Sequence, residues 1–70
     1  MKTTRTRILD YIKSYIKRHH YGPTIREIAA GVGCAPSNVQ RHVVKLAQQG
    51  KIIKRWHQAR SIRLPDQEAH

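Results

Sequence analysis

Residues 23–37, Pro23-Thr24-Ile25-Arg26-Glu27-Ile28-Ala29-Ala30-Gly31-Val32-Gly33-Cys34-Ala35-Pro36-Ser37, decide the fold. Thr24 and Glu27 have the spacing of a capping box, in which the hydroxyl accepts from the Glu27 amide and the carboxylate reaches back to the Thr24 N–H. A helix therefore starts here. Ile28, Ala29 and Val32 give it one apolar face before Gly31 and Gly33 weaken it. Gly33 can take the left-handed conformation that ends a helix, so the chain turns at Gly33-Cys34-Ala35. Pro36-Ser37 restarts the helix, with Ser37 as the expected N-cap. The stretch reads as two helices joined by a tight turn.

Upstream, from Thr4 to His19, Ile8, Leu9, Ile12, Tyr15 and Ile16 form the stripe of an amphipathic helix. Thr3 or Thr4 can cap its start, and Gly22-Pro23 should stop it. Downstream, Val39, Val43, Leu46 and Ala47 repeat with helical period and end at Gly50, which predicts a third helix over about 38–49. The pattern then changes. Lys51-Ile52-Ile53-Lys54-Arg55-Trp56 and Ser61-Ile62-Arg63-Leu64 are β-branched runs separated by His57-Gln58-Ala59-Arg60, and they predict an antiparallel hairpin with a basic loop. Pro65 should end the second strand, leaving residues 1–65 as one domain and 66–70 as a polar, disordered tail.

Three helices followed by a two-stranded hairpin, with a glycine turn between the second and third, is a mainly α (α+β) arrangement: the winged helix-turn-helix. In it the second helix braces the third through Ile28, Ala29 and Val43. The outer side of the third helix then carries Arg41, Lys45 and Gln48, with Ser37 and Asn38 in its first turn. Each of these side chains can hydrogen-bond to a base edge or a phosphate, and a major groove admits one helix.

The charge balance points the same way. Fourteen Lys and Arg face four acids, for a net charge of +10 over seventy residues. Asp66 and Glu68 lie in the last five positions, so the predicted domain sets all its cations against Asp10 and Glu27 alone. Compacting so many like charges costs stability unless a polyanion offsets it, and nucleic acid is the common one. Arg55, Arg60 and Arg63 suit phosphate oxygens because a guanidinium is a planar fork of donors. Thr24, Lys45 and Lys54 complete the candidate backbone contacts. Trp56 can stack on a sugar or base at the hairpin tip, or cap the small core against the first helix. His42 can bond to a neighbouring backbone group or to phosphate.

Tyr21-Gly22-Pro23-Thr24-Ile25-Arg26-Glu27-Ile28-Ala29, then Val32-Gly33, His42, Leu46, Gly50-Lys51-Ile52 and Arg60-Ser61-Ile62-Arg63-Leu64, resemble the DNA-binding domain of LexA-type SOS repressors over residues 4–64. The resemblance implies a cytoplasmic transcriptional repressor of bacterial or phage origin that acts on double-stranded DNA with a palindromic operator. It implies base reading by the N-terminal part of the third helix, at Ser37, Asn38, Gln40 and Arg41, and a wing that grips phosphates. Two departures bear on specificity. The turn around Ala35-Pro36 is one residue shorter than in typical members, and Gln40-Arg41 stand where acidic, small or His residues are common. The family's C-terminal self-cleaving and dimerising domain lies outside these residues, so autocleavage is not expected of this chain. It reads as an excised domain or as a standalone regulator, pairing on DNA with a second copy or competing with a full-length relative.

Other classes remain weighed against this one. An enzyme needs a pair of positioned groups, and Glu27 is spent as a cap. No metal or cofactor is expected: His19 and His20 are adjacent, and His42 and His57 have no ligand partners in sequence. Cys34 is alone, so no internal disulfide forms, and it reads as a small apolar residue. No signal peptide or membrane span is expected. The same basic surface could instead serve a protein-binding adaptor or a non-specific architectural binder of duplex DNA.

Overall fold

The computed structural model describes residues 3–54 and 62–65. Its elements are α1 (Thr4–His19), α2 (Ile25–Val32), α3 (Pro36–Gln48), β1 (Ile53–Lys54) and β2 (Ile62–Arg63). Arg55, Trp56, His57, Arg60 and the tail 66–70 lie outside the described residues, and so do the expectations attached to them.

Thr3 caps α1, its hydroxyl accepting from the Thr6 amide at 3.1 Å. The helix ends as its period predicts, but Gly22-Pro23 is not what stops it. His20 turns left-handed at φ 67°, and its N–H donates to the Ile16 carbonyl at 2.7 Å. A non-glycine residue there costs about 1–2 kcal/mol. The chain after it is pulled back by aromatic contact: the Tyr21 ring lies 5.8 Å from Tyr15 and 5.6 Å from His19.

Both halves of the capping box at α2 are formed. Glu27 N–H donates to the Thr24 hydroxyl at 3.1 Å, and Thr24 N–H donates to Glu27 Oε1 at 2.9 Å. The second carboxylate oxygen accepts from Tyr15 Oη at 2.8 Å, which ties α1 to the start of α2. Tyr15 is thus half-buried rather than a full member of the core stripe. Gly33, at φ 73°, closes α2 with its N–H on the Ala29 carbonyl. Gly31 stays inside the helix because the Tyr11 ring occupies the place a Cβ would take.

At α3 the structure corrects the sequence reading. The N-cap is Ala35, with no side-chain cap bond, and Pro36 is the first helical residue. A proline at that position lacks an N–H that would be orphaned anyway, and its φ is already helical. Ser37 is therefore inside the first turn, not at the cap, and its hydroxyl has no structural hydrogen bond among the described residues. The helix ends one residue earlier than expected, at Gln48.

Ile8, Ile12 and Ile16 of α1, Ile28, Ala29 and Val32 of α2, and Val39, Val43 and Leu46 of α3 form one core, which Ile52 and Ile62 close from the hairpin side. Cys34 is half-buried at its edge. β1 and β2 pair antiparallel, Ile53 with Arg63 and Lys54 with Ile62, and Arg55, Trp56 and Ser61 of the expected runs lie outside the described residues. Lys51 and Ile52 form a bend instead, because Ile52 must turn inward to cover α3. Gly22 is buried against β2: a Cβ there would fall on the Ile62 carbonyl oxygen. The hairpin is thereby seated on the link between α1 and α2.

Candidate nucleic-acid interface

The inner line of α3, Val39, Val43 and Leu46, is fully buried, so helical geometry turns the opposite side to solvent. Ser37, Asn38, Gln40, Arg41, Lys45 and Gln48 are all exposed there. α2 fixes this orientation through Ile28 and Ala29, as the sequence suggested. No acid stands in the first turn of α3, and Lys45 is in its last. The result is a rigid helical face of amide, hydroxyl and guanidinium groups. Such a face can present Arg41 as a two-pronged donor to guanine O6 and N7, and Asn38 or Gln40 to adenine N6 and N7.

The other candidates are distributed around this face. Thr24 is half-buried, and its oxygen is used by the Glu27 amide; the hydroxyl proton is still available to a phosphate oxygen. Lys54 on β1 is half-buried and Arg63 on β2 is exposed, and each already engages a partner within the chain. Arg55 and Arg60 are not among the described residues.

Two side chains that the sequence reading did not bring together meet beside α3. Arg5 Nε donates to His42 Nδ1 at 3.4 Å, across the seam between α1 and α3. His42 therefore bonds to a side chain of another helix, not to a nearby backbone group. The signal was present in the periodicity. Arg5 extends the line of Ile8, Ile12 and Ile16 by one turn, so a cation stands where the stripe continues toward α3. Arg7, two residues on and turned toward α2, donates through Nη2 to the Val32 carbonyl at 3.1 Å and satisfies an orphan acceptor at the end of α2.

Glu27 is held by two donors, and among the described residues no group of three His, Cys, Asp or Glu side chains is placed to hold a metal ion. No described helix is long and apolar enough to cross a membrane.

The LexA DNA binding domain family matches residues 2–61 of the chain. The LexA repressor of Thermosipho melanesiensis is 38% identical over 58 residues, which cover 83% of this chain and 29% of that protein. The LexA repressor of Carboxydothermus hydrogenoformans is 36% identical over 64 residues, covering 90% and 31%. That of Oceanobacillus iheyensis is 40% identical over 62 residues, covering 87% and 30%. The chain thus spans under a third of the length of these relatives.

Proposed function

The chain belongs to the LexA DNA-binding domain family, and from that premise we propose that it is a sequence-specific binder of double-stranded DNA that represses transcription by occupying an operator. The observation that carries the proposal is the face of α3: exposed Ser37, Asn38, Gln40 and Arg41, free of acids, on a helix whose other side is locked into the core. In this reading α3 enters the major groove and those four residues read bases. Thr24, Lys45, Lys54, Arg55, Arg60 and Arg63 hold phosphates, with the hairpin acting as the wing.

A single small module covers one half-site and gives modest affinity. Useful occupancy then comes from two copies on a palindromic operator, paired on the DNA, or from competition with a full-length LexA-like relative for the same sites. Repression follows because an occupied operator excludes polymerase.

Selection of bound duplexes from a random library at near-physiological salt, with the winners retested against scrambled DNA, tests this. An enriched half-site, repeated at a spacing of about 10 bp, is the expected outcome. Binding without an enriched motif would make the chain an architectural binder, and weak binding of any duplex would favour a protein adaptor.

A further inference from the structure

We infer that the DNA-binding surface extends past α3 onto α1, where Arg5, positioned by His42, contacts a backbone phosphate at the flank of the recognition helix. The inference rests on the DNA-binding reading above. It starts from an imbalance. Arg5 is half-buried at the α1–α3 seam, yet its single hydrogen bond among the described residues goes to His42 Nδ1 and not to a carboxylate. Partial burial of a cation without an anion is unfavourable. Among the described residues, no carboxylate lines the two grooves along which Arg5 lies with His42.

Position names the missing anion. One of the grooves is shared with Asn38, Arg41 and Lys45, so Arg5 sits on the surface that carries the base-reading candidates. The other runs past Thr3, Thr6 and Lys51. Counting about 100° per residue around α3, Arg41 and Gln48 lie opposite the buried line, while Lys45, Asn38 and then His42 fall successively toward the α1 side. A helix about 10–12 Å across fills a major groove about 12 Å wide, so its centre faces bases and its flank faces the phosphates of the groove wall. Arg5 stands on that flank.

The division of labour between the pair follows from donor count. Nε–H is used on His42, and the terminal guanidinium nitrogens keep their hydrogens for phosphate oxygens. At 3.4 Å the bond to His42 is long, and it orients the fork rather than anchoring it. His42 is thus a positioning residue and Arg5 the contact.

The test compares Arg5→Ala, Arg5→Gln, His42→Ala, His42→Gln and the double alanine variant on selected and scrambled duplexes, each first checked by thermal melt. Arg5→Gln keeps the stem and a donor for His42 but drops the charge, so it stands in should Arg5→Ala melt early. Either Arg5 variant should lose affinity equally on both duplexes and lower the slope of log K against log salt by about 0.9. That slope makes its defect about threefold larger at 50 mM than at 200 mM salt. His42→Ala should cost less than Arg5→Ala and nothing further in the Arg5→Ala background, while His42→Gln, which offers an acceptor oxygen, should restore binding. Unchanged affinity and slope in the folded Arg5 variants, or an additive His42 loss, would overturn the inference while wild-type specificity stands. Loss of the wild type's preference for its selected site would instead remove the DNA-reading premise.

Discussion

Gly22→Ala isolates the contact that seats the hairpin on the helical body. Gly22 is not among the residues with positive φ, so alanine can adopt its backbone conformation and the cost is steric. The new Cβ would fall on the Ile62 carbonyl oxygen, with the carbonyl carbon at 2.9 Å and Cα at 3.4 Å. These are backbone atoms, which cannot swing aside as a side chain does. Relief requires β2 to move outward, and β2 carries Ile62, which is 1% exposed and closes the core. Full burial of such a side chain contributes about 1.5–3 kcal/mol, and forced overpacking costs about 1–3 kcal/mol. We expect a net loss of about 2 kcal/mol. A seventy-residue domain has roughly 4–10 kcal/mol in total, so the loss is a sizeable fraction of its stability. Urea titration followed by circular dichroism should show a lower midpoint at unchanged m, and Tm should fall by roughly 8–16 °C. A change below about 0.5 kcal/mol would mean that β2 does not press on the α1–α2 link.

Ser37→Ala should change stability by less than about 0.5 kcal/mol in the same titration, since Ser37 is not the N-cap of α3; a loss of about 1 kcal/mol would restore it to that role. Tyr15→Phe removes the hydroxyl that donates to Glu27 and should cost about 0.5–1.5 kcal/mol, and a Glu27→Gln background should shrink that cost in a double-mutant cycle. Gly33→Ala, which meets no neighbouring atom but must hold φ 73°, should cost about 1 kcal/mol by denaturant titration, leaving the DNA affinity of the folded protein unaltered.

The local signals were strong where structure is set locally. The Thr24–Glu27 box, Gly33 and the three apolar stripes are each defined within a few residues, and all appear in the fold. The start of α3 is less sharply encoded, because serine and proline compete for neighbouring positions and the fixed φ of Pro36 moves the cap back to Ala35. The bend at Lys51 and Ile52, where a strand was expected, reflects a tertiary demand: Ile52 is drawn into the core ahead of β1. Gly22 looked like a helix stop, and its contact with a strand forty residues away has no local signature. For the candidate site, the polar face of α3 was legible because helical period separates it from Val39, Val43 and Leu46. The Arg5–His42 contact was legible only by half: Arg5 continues the line of Ile8, Ile12 and Ile16, but its partner is undefined until the neighbouring helix is in place.

Base reading by α3 is best probed by the affinity of wild type and Arg41→Ala for every single-base variant of the selected half-site, measured at one salt concentration. Arg41→Ala should lose about 1–3 kcal/mol of discrimination at one base pair and keep its preferences elsewhere. An equal loss on all variants and on scrambled DNA would contradict base reading, and would make the face of α3 a patch of charge rather than a reader of sequence.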